Sequence, residues 1–199
     1  MQTVKSLVIA TIILLHGLGM AQTPTPSVTS GIYLTAVDYE KHKLMEEVEC
    51  KKEHEDFKTH DWFDRQSFEV LYKGKKTTYL KSNIYAYRDC SNKTWRFFNN
   101  KEYEILEIRD ICVYKINKVV MNGIAVEKDF VYFFSKGLMG DIKELSKKNL
   151  KTVFANNKEF CQLIDTEIKD DDEEKVIHRY DTGRKMYYIN YLFSKTSVH

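Results

Sequence analysis

The amino-acid sequence predicts an α+β fold, in which an N-terminal curved antiparallel β-sheet built as a meander is followed by C-terminal helices. Between residues 84 and 116, short runs rich in aromatic and β-branched residues alternate with polar turn clusters, which is typical of strands and hairpins. After Gly137 and Gly140 the apolar residues recur at helical spacing instead. Strands followed by helices, without regular alternation, indicate the α+β class.

The predicted strands follow one another from the start of the structured chain. A turn at Gly74, a residue that tolerates a positive φ, joins two of them. The central meander contains four runs, and the last predicted strand is apolar on both faces, which is typical of a covered strand. The strands are predicted at residues 32–37, 48–50, 67–72, 77–80, 84–87, 94–98, 103–108, 111–116 and 129–134.

Helices are predicted in the last third of the chain. One carries apolar residues between Leu145 and Phe154, and Asn156 or Asn157 caps the next, which runs to Ile168. The segment 184–193 fits both helical spacing and strand alternation, and we favour a helix.

Residues 1–21 have the pattern of a secretory signal peptide. Lys5 precedes an almost unbroken apolar run, and Gly19 and Ala21 are small residues at the positions that a signal peptidase reads. We predict cleavage after Ala21, the alternative being an uncleaved membrane anchor, and therefore no stable membrane span afterwards. Residues 22–30, which contain both prolines, are predicted to be an extended linker. Residues 31–199 form a single predicted α+β domain, mainly strands in 31–135 and mainly helices in 141–199.

Charge and cysteine content limit the function classes. The formal net charge is only +2, with the two signs interspersed, so the chain lacks the basic footprint of a nucleic-acid-binding protein and has no polybasic membrane patch. Four cysteines (Cys50, Cys90, Cys112 and Cys161) permit two disulfides in three pairings, and a domain of this length does not need a bridge to fold.

The residues that could ligate a metal are His54 and His60, which lie among several carboxylates. They are six residues apart, whereas the helical zinc motif needs histidines four apart, so a solvated polar loop is the simpler interpretation. No glycine-rich phosphate loop and no nucleophile elbow is present in the sequence. We therefore predict no cofactor and assign no catalytic residue.

Aromatic residues of the meander are the strongest indication of a binding surface. Tyr85, Tyr87 and Trp95 lie on neighbouring predicted strands, where exposed rings would form a platform for a glycan or a partner chain. The alternative is that these rings are core. We predict Tyr85, Tyr87 and Trp95 as the exposed members and hence as binding residues.

Three segments carry a resemblance to known sequences: residues 31–44 (GIYLTAVDYEKHKL), 82–106 (SNIYAYRDCSNKTWRFFNNKEYEIL) and 140–157 (GDIKELSKKNLKTVFANN). Together they resemble a group of small uncharacterised exported proteins of Bacteroidetes-type Gram-negative bacteria. The resemblance covers most of the chain after residue 21. It implies export to the periplasm or beyond and transfers no active-site residue.

Three function classes agree with these observations. We favour an exported, non-enzymatic protein that binds a protein or a cell-envelope component. A carrier of a small molecule, glycan or lipid would need an apolar cavity inside the curved sheet. A small hydrolase would need a metal site at His54 and His60.

Overall fold

The structure is a computed structural model that describes residues 29–50, 56–58, 66–72, 74–122 and 125–196. The predicted signal peptide and most of the predicted linker lie outside these residues. Its strands are β1 (Thr29–Tyr33), β2 (Met45–Glu49), β3 (Asp56–Lys58), β4 (Ser67–Tyr72), β5 (Lys75–Leu80), β6 (Ala86–Arg88), β7 (Thr94–Phe98), β8 (Lys101–Glu107), β9 (Ile111–Asn122), β10 (Ala125–Lys136), β11 (Lys143–Glu144), β12 (Tyr180–Asp181) and β13 (Met186–Tyr187).

The helices are α1 (Ala36–Glu40), α2 (Lys147–Val153), α3 (Lys158–Glu167), α4 (Glu173–Ile177) and α5 (Tyr188–Ser194). Side chains cap several of their N-termini. Thr35 and Asp38 form a reciprocal capping box at α1, and the Ser146 hydroxyl accepts a hydrogen bond from the Asn149 amide at α2. The Asn157 side chain accepts from the Phe160 amide at α3, as the sequence predicted.

Within the described chain, the main sheet has eight antiparallel strands in the order β11-β10-β9-β8-β7-β6-β1-β2. The run from β6 to β9 is the predicted meander, and β10 extends it by one strand, since each strand pairs with the next along the chain. A separate three-stranded sheet, β3-β4-β5, and a short hairpin, β12-β13, complete the strands. Gly74 has φ +74° at the turn between β4 and β5, which agrees with the predicted turn.

One face of the main sheet, which we call the covered face, packs against two different layers. Over β9 and β10 the C-terminal helices supply the layer, because Val113 and Phe134 share a core with Phe160 of α3 and Ile189 of α5. The other members of this core are Ile111, Leu145, Leu150, Phe154, Ile164, Ile168, Ile177, Tyr187, Tyr188 and Leu192.

Over β1, β6 and β7 the covered face packs against the three-stranded sheet. Phe68 and Val70 of β4 share a second core with Ile32 of β1 and Phe97 of β7. The Phe68 and Phe97 rings lie 5.0 Å apart between their centroids. The three-stranded sheet and the C-terminal helices therefore cover neighbouring halves of the same face.

The opposite face carries a third core, formed by Tyr103, Cys112, Tyr114 and Ile142. Helix α1 lies on this side of the sheet, where the Tyr39 ring contacts the Tyr33 and Tyr85 rings. Both faces of the meander are thus occupied by other parts of the chain.

The α+β class is confirmed, with the main sheet formed in the N-terminal part and most helices in the C-terminal part, although the short helix α1 follows β1 and the β12–β13 hairpin follows α4. Several boundaries differ from the prediction. Strand β1 begins at Thr29, two residues inside the predicted linker, because it pairs with both β2 and β6. The segment 184–193 is neither wholly helix nor wholly strand, since Met186 and Tyr187 pair with β12 before α5 begins.

One disulfide joins Cys50, directly after β2, to Cys90, in the turn after β6, while Cys112 and Cys161 are free thiols. We expect Cys50→Ser combined with Cys90→Ser to lower the free energy of unfolding by about 2–4 kcal/mol, because the bridge closes a loop of 40 residues in the unfolded chain. Urea denaturation of the variant and of the native chain measures this difference. The half-buried Cys161→Ser is the control, and an equal loss there would contradict the entropic explanation.

In the part of the chain that the structure describes, none of the helices is both long and apolar enough to cross a membrane.

Candidate functional site

The aromatic residues predicted to form an exposed platform do not form one. The prediction that Tyr87 is exposed is wrong, since only 4% of it is accessible. Its ring stacks on Phe68 of the three-stranded sheet and on Trp95, and its hydroxyl donates a hydrogen bond to Glu102 at 3.0 Å. Tyr87 is therefore a core residue between the two sheets.

Tyr85 and Trp95 are both half-buried and lie on opposite faces of the main sheet. Trp95 is on the covered face, where its Nε1 donates to the Asp89 carboxylate at 2.9 Å. Tyr85 faces the third core, and its hydroxyl donates to the Leu138 carbonyl at 3.1 Å. Burial raises the pKa of the Tyr85 phenol above its usual value. The three predicted binding residues do not share one surface.

The predicted metal ligands His54 and His60 lie outside the described residues. Within the described ranges, no group of three or more His, Cys, Asp or Glu side chains could hold a metal ion.

A carrier would need an apolar cavity against the sheet, but the covered face of the described chain is filled by core side chains. An open groove of about 450 Å³ does occur at the ends of α2, α3 and α5. Lys136, Lys158 and Asn157 contribute polar walls to it beside Phe154 and Phe193. Its mixed lining differs from the mostly apolar lining of a lipid site.

The most deeply buried charge of the described chain outside ion pairs is the Arg96 guanidinium on β7, with 5% of the residue exposed. It donates to the Tyr114 hydroxyl at 2.9 Å, to the Ser135 hydroxyl at 3.2 Å and to the Gly140 carbonyl at 3.0 Å. It also lies 5.3 Å from the Tyr85 ring centroid. These contacts join three strands and the 137–140 turn, so the cluster is structural.

A cluster of a different kind lies on α5 and the β12–β13 hairpin, where exposed cations cover the buried Tyr188 and the half-buried Tyr191. We call it the tyrosine–cation face and define it by Arg179, Arg184, Tyr188, Tyr191 and Lys195. The Arg179 guanidinium lies 3.9 Å from the centroid of the Tyr188 ring. Arg184 and Lys195 lie 4.1 and 4.6 Å from the Tyr191 ring. The two rings are neighbours, with their centroids 5.8 Å apart.

Local structure positions this face. The hairpin turn is held by the Asp181 carboxylate, which accepts from the Arg184 amide at 2.9 Å, and Lys185 occupies a left-handed conformation with φ 53°. The Tyr188 amide donates to the Arg179 carbonyl at 2.8 Å, which ties the start of α5 to the chain before β12. Along α5, Tyr188 and Tyr191 are three residues apart and Lys195 follows four later, so they share one side of the helix.

Neighbouring groups raise the pKa of two cations of the face, Lys195 and Arg184. The hydrogen bond to Tyr191 raises the pKa of Lys195, and the Asp181 carboxylate raises the pKa of Arg184. Arg184 in turn lowers the pKa of Asp181. Nearby negative charge comes from Asp181 and from Glu167, which accepts a hydrogen bond from the Tyr188 hydroxyl at 2.8 Å. Lys185 adds a further exposed cation.

Chemically, the face presents exposed cationic groups held over tyrosine rings. A guanidinium stacked on a ring loses little further conformational freedom when its N–H groups bind a carboxylate or a phosphate. The sequence did not indicate this face, because the apolar residues of the segment 184–193 fit both helical and strand spacing. The spacing of Tyr188, Tyr191 and Lys195 was the available signal.

Comparison of the chain with protein-family models, with curated proteins and with solved structures found no match.

Proposed function

We propose that the protein is an exported, non-enzymatic binding protein, and that its tyrosine–cation face binds anionic groups of a cell-envelope polysaccharide. The observation that carries the proposal is the placement of Arg179, Arg184 and Lys195 within 4.6 Å of two adjacent tyrosine rings. Export is supported by the signal-peptide pattern of residues 1–21.

The chemistry of the face favours an acidic glycan over a neutral one. Arginine forms paired hydrogen bonds with carboxylates and phosphates, and such charge-assisted bonds are stronger than neutral ones. The cations on this face exceed the two neighbouring carboxylates, Asp181 and Glu167, whereas the charge of the whole chain is nearly balanced. A locally positive face on a nearly neutral protein attracts an anionic polymer to one place on its surface.

The test is binding of the exported chain to a polysaccharide that carries carboxylates, with neutral dextran as the comparison. We expect the triple variant Arg179→Gln, Arg184→Gln, Lys195→Gln to bind about tenfold more weakly, since each exposed charge contact contributes up to about 1 kcal/mol. The affinity of the native chain should fall as salt is added, because ions screen exposed charges.

The matched control removes the same number of charges elsewhere, by Lys101→Gln, Lys143→Gln and Lys148→Gln, three exposed lysines outside the face. We expect this variant to bind as the native chain does. An equal loss of affinity in both triple variants would show that only the net charge of the chain matters. Equal binding to dextran and to the acidic polysaccharide would show that the anionic groups of the polysaccharide do not contribute to binding. Either result, or no binding to the acidic polysaccharide, contradicts the proposal.

A further inference from the structure

Charged side chains lie between the two cores of the covered face. The core beneath the C-terminal helices and the core beneath the three-stranded sheet share no residue. Between them, Glu104 of β8 and Lys115 of β9 lie directly opposite each other. A polar strip therefore separates the two layers that cover this face.

An aromatic ring lies at each end of the polar strip. Glu104 lies opposite Trp95 of β7, Lys115 lies opposite Tyr132 of β10, and opposite residues in antiparallel strands point to the same face. Trp95 and Tyr132 are partly buried residues at the margins of the two cores. Three strand spacings of about 4.8 Å place the two residues about 14 Å apart. We call Trp95, Glu104, Lys115 and Tyr132, together with Lys93, the central strip.

The charges of the central strip are paired but accessible. The Glu104 carboxylate lies 3.2 Å from Lys93 Nζ and 3.5 Å from Lys115 Nζ. The lysine side chains are 49% and 20% exposed, respectively. Because an ammonium group has three N–H donors, each lysine keeps donors for a ligand. The Phe130 ring, 4.5 Å from Lys115 Nζ, adds an apolar wall beside these charges.

The Trp95 ring directs one face toward these charges. Its other side is next to Tyr87, whose ring is nearly parallel to it at an angle of 13°. Tyr87 belongs to β6 and Glu104 to β8, on opposite sides of β7 in the sheet. The Trp95 ring face that points away from Tyr87 is therefore the one beside Glu104.

The central strip continues into the tyrosine–cation face. At the Tyr132 end, the His178 ring stacks on the Tyr132 ring with the centroids 4.3 Å apart. The next residue along the chain is Arg179, whose guanidinium lies over the Tyr188 ring. A ligand that extends past Tyr132 therefore meets the cations of the tyrosine–cation face.

The groups of the central strip suit the sugar rings of a glycan. One face of a sugar ring presents C–H groups that pack on an aromatic ring, while its hydroxyls both donate and accept hydrogen bonds. Such hydroxyls can bind a carboxylate and an ammonium group together, as Glu104 and Lys115 are placed. The separation of the two rings exceeds the width of one sugar, so the matching ligand is an oligosaccharide.

We propose that the central strip and the tyrosine–cation face form one extended binding surface for a single acidic glycan chain. Its sugar rings lie against Trp95 and Tyr132, and its anionic groups bind the cations of the tyrosine–cation face. The proposal rests on the proposed function of that face and specifies the ligand as an oligosaccharide. Trp95 is also one of the three binding residues that the sequence predicts.

The first test uses the fluorescence of Trp95 in the full exported chain. Trp62→Phe leaves Trp95 as the only tryptophan. We expect hexagalacturonate, an acidic oligosaccharide, to change the Trp95 emission in this variant. Galacturonic acid at the same concentration of sugar units should leave it unchanged, because one sugar does not span the central strip. A Trp95 emission that stays constant while hexagalacturonate binds overturns the proposal.

The second test measures the affinity of Trp95 variants for hexagalacturonate. Trp95→Ala should bind about tenfold more weakly, because it removes a ring that packs on a sugar. Trp95→Phe loses the Nε1 hydrogen bond to Asp89 but keeps a ring, so it should retain most of the affinity. Tyr39→Ala is the matched control, since it removes a half-buried ring on the opposite face of the sheet. Urea denaturation of each variant shows that it is folded under the binding conditions.

The two proposals fail in different ways. If the triple variant of the tyrosine–cation face loses affinity for hexagalacturonate and Trp95→Ala does not, the face binds the glycan and the central strip does not. The opposite pattern supports the sugar site of the central strip and contradicts the binding of anionic groups by the face. An equal loss in Tyr39→Ala and Trp95→Ala overturns the role of the central strip. Absence of hexagalacturonate binding to the native chain overturns both proposals.

Discussion

Replacing Arg96 by alanine is expected to lower the free energy of unfolding by about 3–5 kcal/mol. The guanidinium is the donor for the Gly140 carbonyl, the Tyr114 hydroxyl and the Ser135 hydroxyl. Tyr114 and Ser135 keep a 2.9 Å hydrogen bond to each other, but the Gly140 carbonyl loses its side-chain donor. The cavity left among the surrounding rings adds to this loss.

The position of Gly140 explains why its carbonyl would not move to another hydrogen-bond donor when Arg96 is removed. A Cβ atom there would lie 2.5 Å from the Lys136 carbonyl oxygen, so the chain folds back on itself more tightly than any other residue permits. This close turn holds the carbonyl that Arg96 binds. The acceptor therefore has little freedom to find another donor.

Urea denaturation of the Arg96→Ala variant measures the loss, and two variants interpret it. Arg184→Ala removes a half-exposed arginine with a surface ion pair and is expected to change the stability far less than Arg96→Ala does. Arg96→Met restores apolar volume without donors, so it should recover only part of the loss. A loss below about 1 kcal/mol in Arg96→Ala would contradict the structural role of the cluster.

Much of the meander follows from the sequence, because aromatic and β-branched runs separated by polar turns have few other interpretations. The faces of its residues do not follow. Tyr85 and Tyr87 are two residues apart and would share a face on one strand, but β6 begins at Ala86, so alternation does not reach Tyr85. Tyr87 is buried because the three-stranded sheet packs on it, and the sequence does not show which face of the meander that sheet covers.

Arg96 is a charged residue whose burial the local sequence pattern does not predict. A charged residue between Trp95 and Phe97 on a strand is normally interpreted as solvent-facing. It is buried because the 137–142 segment, distant in sequence, returns to cover that face of the sheet. The pairing of Cys50 with Cys90 and the tyrosine–cation face likewise depend on contacts between distant segments, which a local pattern does not specify.

The cohesion of the two sheets depends most on Phe68, which is completely buried. Its ring lies within 6.2 Å of the Tyr79, Tyr87 and Phe97 rings, so it contacts both the three-stranded sheet and the main sheet. Phe68→Ala removes these contacts and leaves a cavity between rigid strands. We expect it to lower the free energy of unfolding by about 3–5 kcal/mol.

Chemical denaturation of the Phe68→Ala variant also decides whether the two sheets unfold together. If the two sheets form one cooperative unit, the denaturant midpoint falls and the transition stays single. A separate first transition that involves only the three-stranded sheet would show that this sheet unfolds independently of the main sheet. Met139→Ala is the control, because Met139 is 77% exposed and its truncation should change the stability by less than about 0.5 kcal/mol. The three-stranded sheet covers Tyr87 and Phe97. A single transition would therefore mean that the folding of the meander requires β4 and β5, which precede the meander in the sequence.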